Sequence, residues 1–135
     1  MKDERRAYPR GEYKWPAVFK TKERSVSGVT LNVGPDGAFI SCQDPAKLNE
    51  VGELIISIPD SKQVIRARAE VVWSNIHGPD DEISPRRMGV RFLRISGEDR
   101  KFIATAVLGQ LKSLKVEPKL LDTLSTLIID LSKGE

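Results

Sequence analysis

The chain has one cysteine, Cys42, and one histidine, His77, in 135 residues. One thiol closes no internal disulfide, which fits a reducing cytoplasm, and one imidazole with one thiol is too small a set for a zinc site. No metal or cofactor is therefore expected. No apolar run approaches the roughly 18 residues of a membrane span. The opening "MKDERRAY" is charged where a signal peptide needs an apolar stretch. Aromatics make up only 6%, and the net charge of +3 falls short of the basic stripe of a duplex-binding domain. The sequence has no phosphate-cradling G-x-x-x-x-G-K-[ST] run and no G-x-S-x-G elbow to go with His77. Asp80, Asp81 and Glu82 adjoin in a polar loop and read as a solvated run. Nothing in this pattern is catalytic, and a binding module is expected.

What is present is a series of short strands. "EYKWPAVFK" has strand residues, with Pro16 confining it to an edge or a bulge. "SVSGVTLNV" places Val29, Leu31 and Val33 on one face, with Thr30 and Asn32 on the other, the period-2 signal of a half-buried strand. "GAFISC", "GELIISIP" and "RMGVRFLRI" are further strands, the last with Met88, Val90 and Phe92 in register. In "QVIRARAEVVW", Ile65, Ala67, Ala69, Val71 and Trp73 alternate with Arg66, Arg68 and Glu70. Strands of this length with turn chemistry between them predict a small antiparallel barrel or sandwich.

The period then changes. Ser96 is placed to cap a helix carrying Phe102, Ile103, Ala106, Val107, Leu111 and Leu114. Pro118 can open a second helix, in which Leu120, Leu124, Leu127 and Leu131 repeat at a 4-3-4 step. Those leucines must pack on the barrel, on the first helix or on another chain, so a homo-oligomer through them is one expectation. The organisation read this way is an arm over residues 1–11, a barrel over 12–95 and helices over 96–135.

Two stretches stand out. Arg5, Arg6 and Arg10 lie on the arm, and guanidinium groups donate paired hydrogen bonds to phosphate or to the O6/N7 edge of guanine. "NVGPDG" sets Asn32, with its donor and acceptor, before a turn whose Gly34 and Gly37 permit close approach. Taken singly, the arginines are also compatible with a solvated terminal charge run, and the glycines with turn geometry alone.

Together, "RRAYPR" and "NVGPDG" resemble the R-x-x-x-R and [D/N]-x-S-x-x-G signatures of the PilZ domain, and "MGVRF" resembles its closing G-V-x-F strand. The resemblance covers about residues 3 to 110 and implies a mostly β fold, a six-stranded antiparallel barrel followed by C-terminal helices. It also implies a bacterial receptor for cyclic di-GMP. Carried over by position, Arg6 and Arg10 would grip phosphate and guanine, and Asn32 and Gly37 would hold the other base. Arg5 would take a second ligand molecule, and Arg91, Arg66 or Arg68 would make rim contacts. The sequence departs from the pattern at Gly34, where the family has Ser. A lost neutral hydrogen bond costs roughly 0.5–1.5 kcal/mol, which weakens a site without abolishing it. Asp36 also adds a negative charge beside the anion site.

Two functions follow from the resemblance. One is a stand-alone cyclic di-GMP receptor that signals to a downstream protein, and the other is an adaptor of the same fold that no longer binds nucleotide. A nucleic-acid-binding barrel ranks last, because "RARAEVVW" has alanines where stacking rings would be needed.

Overall fold

The computed structural model describes residues 8–75, 86–114 and 116–133. Arg5 and Arg6, as well as His77 and the Asp80–Glu82 run, lie outside the described residues. Six strands, β1 (Pro16–Lys20), β2 (Ser25–Gly34), β3 (Gly37–Cys42), β4 (Val51–Ser57), β5 (Val64–Ser74) and β6 (Arg87–Ile95), are followed by helices α1 (Gly97–Ser113) and α2 (Pro118–Lys133). The strands close into an antiparallel barrel in the order β1-β2-β3-β6-β5-β4, so β1 pairs with both β2 and β4. The barrel, rather than the sandwich, is what forms.

Closure changes the role expected for Pro16. It marks neither an edge strand nor a bulge. It is the first residue of β1, paired only with Val29 of β2, while the β4 pairing starts one residue later at Ala17. Its missing N–H is thus never asked for by a second neighbour.

The alternation expected along β2 is also broken. A bulge between Thr30 and Asn32 leaves Leu31 as an extra residue opposite Ile40 and Phe39. Before it, Val26 and Thr30 face the core, and Val29 is 40% exposed; after it, Val33 faces inward and Asn32 outward. A single inserted residue flips every side chain beyond it to the other face. Thr30 is completely buried, and its hydroxyl is satisfied by donating to the Tyr13 carbonyl and accepting from the Trp15 N–H. A second irregularity, between Val71 and Trp73, turns Trp73 out of the core face expected for it. The barrel interior is filled by Phe19, Val33, Ile40, Leu54, Ile56, Ile65, Val71, Met88 and Val90. Cys42 is a small buried residue whose thiol is pushed up to about 11, first by burial, then by Asp44, with Arg24 opposing.

The Ser96 Oγ accepts the Asp99 N–H and caps α1 as expected, with Glu98 and Asp99 favourably placed in the first turn. Ile103, Ala104, Val107 and Leu111 are buried, whereas Leu114 lies just past the helix and is 62% exposed. α2 packs on α1 and buries Leu124 and Leu127 within the chain's own fold. Of the four heptad-like leucines, Leu120 faces outward and Leu131 is half-buried.

Candidate nucleotide site

The placement of the arm follows from β2. The Trp15 carbonyl accepts from the Thr30 N–H, and Gly11 and Val33 exchange both backbone hydrogen bonds, at 2.8 and 2.9 Å. The segment before β1 therefore runs antiparallel to β2, and Arg10 arrives beside Gly34 at the turn. α1 secures this segment. Gln110 accepts from the Glu12 N–H at 2.6 Å and donates to the Glu12 carbonyl at 2.8 Å. The Tyr13 hydroxyl donates to the Ala106 carbonyl at 2.7 Å, and burial raises its pKa. Tyr13 stacks on Trp15, and Trp15 tilts against Phe102.

Four of the residues expected at the site come together there. Arg10 donates from Nη1 to the Asn32 Oδ1 at 3.2 Å. That contact orients the Asn32 amide and leaves its NH2 to donate outward. A Cβ on Gly34 would sit 2.7 Å from Arg10 Cγ and 3.1 Å from the Pro9 carbonyl oxygen. A Cβ on Gly37 would sit 2.2 Å from the Val90 carbonyl oxygen and 3.1 Å from Arg10 Nη2. Neither glycine has a positive φ, so both are required for space rather than for backbone conformation. Gly34 thus leaves room for the Arg10 stem.

Two of the other expected rim residues are paired with carboxylates. Arg91 is next to Gly37 in register, but its guanidinium pairs with Glu70, at 2.9 Å from both Nε and Nη2. Arg66 pairs with Glu53 at 3.6 Å, and Arg68 stands exposed on the outer face of β5, opposite Arg94. Several residues that the sequence did not single out for this site are at or near it. The Arg100 Nη2 lies 3.4 Å from the Asp36 Oδ1, and its guanidinium carbon is 5.5 Å from the centre of the Tyr8 ring. Trp73 shares a cross-strand row with the site, Asn32–Phe39–Gly89–Trp73, spanning β2, β3, β6 and β5. Phe39 and Trp73 meet over Gly89 with ring centres 5.3 Å apart, and the Arg87 guanidinium lies about 5.5 Å from both. The row was hidden in the sequence because the two irregularities that align it break simple alternation.

A hollow of about 390 Å³ lies between Tyr8 and α2. Its Asp122 and Asp130 make it unsuited to an anion. Among the described residues, no cluster of three or more His, Cys, Asp or Glu side chains is gathered to hold a metal, and no helix is long and apolar enough to cross a membrane.

The turn thus offers a planar cation, an oriented amide and two glycines where the backbone can be closely approached, with an aromatic pair along the same face. These features make the turn the candidate site on this small barrel. The family profile of the PilZ domain matches residues 4–109, and the chain belongs to the PilZ domain family, a family of cyclic di-GMP receptor domains. Among solved structures, the chain is similar to an inhibitor of motility from Bacillus subtilis (MotI/DgrA). The TM-score is 0.66 and the identity 19%, over 81% of this chain and 52% of that one. The chain therefore spans about half of that protein's length, and the likeness is one of fold. No curated protein matches the sequence.

Proposed function

We propose that the protein is a receptor for cyclic di-GMP, which binds between the N-terminal arginine arm and the Gly34–Gly37 turn, and that occupancy is passed to a partner protein. The observation that carries this reading is the meeting of Arg10, Asn32, Gly34 and Gly37, four positions of the two family signatures, around one turn. Arg10 serves phosphate or a guanine edge, the Asn32 amide serves the base, and the exposed face of Trp73 lies along the same row for stacking. Arg6 completes the arginine pair, and Arg5 is the candidate for a second ligand molecule. Because α1 holds Glu12 and Tyr13, a ligand that reorders the arm has the helical pair as its neighbour, and α1 and α2 are the natural surface for the partner to read. This role would place the protein in the bacterial cytoplasm and needs neither catalysis nor a cofactor.

Calorimetric titration with cyclic di-GMP, with GTP as the control, tests the proposal. Saturable and selective binding is expected, with one or two ligands per chain. Arg10→Ala should weaken it at least about thirtyfold, the equivalent of roughly 2 kcal/mol for a charge-assisted contact. Absence of heat and of a thermal shift would leave the second reading, an adaptor that keeps the fold and has lost the nucleotide, for which Gly34 in place of the family's Ser is the supporting observation.

A further inference from the structure

Asp36 is an awkward residue for an anion site. It sits in the turn itself, between Pro35 and Gly37, and its carbonyl oxygen accepts from the Phe92 N–H at 2.7 Å, which fixes its backbone there. Its carboxylate reaches the Arg100 guanidinium, which in turn lies over the Tyr8 ring. Arg100 is itself awkwardly placed. It lies in the first turn of α1, with its N–H bonded to the Ser96 carbonyl, where the helix dipole favours anions and opposes a cation. The two charges cancel where the turn and the helix meet. Tyr8 precedes Arg10 by two residues, so the Arg100 contact also holds the arm in place just before the arginine of the signature.

Resting on the receptor reading above, we propose that Arg100 is a positioning residue of the nucleotide site. It neutralises Asp36 and steadies the arm, so an anionic ligand meets a turn that, with Arg10, is net positive rather than neutral. Arg100 makes no ligand contact in this account. It acts through Asp36, across 64 residues of sequence.

The test is titration of cyclic di-GMP into the full chain and three variants, at low and high salt, with melting temperature as the folding control. Arg100→Ala should weaken binding about tenfold, because it exposes the Asp36 carboxylate to the ligand phosphates. Asp36→Asn alone should tighten binding a few-fold. Asp36→Asn combined with Arg100→Ala should recover most of the loss, a rescue that a purely structural role for Arg100 would not show. The Arg100→Ala deficit should also shrink as salt screens the repulsion. If the wild type binds and Arg100→Ala binds equally well, or if Asp36→Asn fails to restore affinity, the role of Arg100 is overturned and the receptor reading stands. If the wild type takes no ligand, both fall.

Discussion

Among the described residues, two hairpin turns of this barrel are built on the same dipeptide, Pro-Asp, and only one of them is a candidate site. Between β2 and β3, Gly34, Pro35 and Gly37 are buried and Asp36 is half-buried, enclosed by Arg10 from the arm and Arg100 from α1. Between β4 and β5, Pro59 and Asp60 are exposed, and the turn closes on itself. The Ile58 N–H donates to the Gln63 carbonyl at 3.1 Å, and the Gln63 N–H donates to the Ser61 hydroxyl at 3.0 Å. Asp60 adopts a φ of 61°, a left-handed conformation that Asp tolerates, whereas neither Pro35 nor Asp36 needs a positive φ. The dipeptide makes a bend in both places. What distinguishes the first turn is the set of distant residues delivered to it, and the bare space at two glycines that lets them approach.

The comparison can be broken most severely at Gly37. A Cβ there would lie 2.2 Å from the Val90 carbonyl oxygen, within the β3–β6 pairing. Gly37→Ala should cost about 3 kcal/mol by overpacking, lowering Tm by about 10 °C in a chain of this size, and binding should fall with it. Thermal melting gives the answer, and an unchanged Tm would show that the turn is looser than described. Gly34→Ser comes next. It supplies the hydroxyl of the family pattern, but its Cβ would meet the Arg10 stem at 2.7 Å. Affinity for cyclic di-GMP should therefore fall about threefold, where a bare hydrogen-bond account predicts a gain of two- to tenfold. A gain would mean that Arg10 leaves this position when the ligand arrives. The smallest effect belongs to the other turn. Asp60→Gly relieves the left-handed backbone and adds chain entropy in the unfolded state, so stability should stay within about 0.5 kcal/mol and binding should not change. A loss of binding there would end the distinction between the two turns.

Much of this was legible in local pattern. Six strands, the Ser96 cap and two helices follow from period and turn chemistry, which depend on residues near one another in the chain. The outward position of Asn32 was also anticipated, though the alternation used to reach it fails at Thr30 and Val29, because the bulge at Leu31 shifts the phase. Trp73 was placed on the face of Ile65, Ala67, Ala69 and Val71 for the same kind of reason, whereas those four are buried and Trp73 is exposed. A bulge is decided by how neighbouring strands close the barrel, and that information is not carried in the strand's own period.

The sequence by itself determined that a small β domain with two trailing helices would form, and that an arginine arm and a glycine turn were its distinctive chemistry. Hydrophobic alternation, capping and motif spacing suffice for that much. Only the tertiary structure decided that Arg10 meets Asn32, that Gly34 and Gly37 are glycines for want of room, and that Arg100 answers Asp36. Those contacts join residues 22 to 64 positions apart, and they exist because the closed barrel and the docked helix bring their ends to one place.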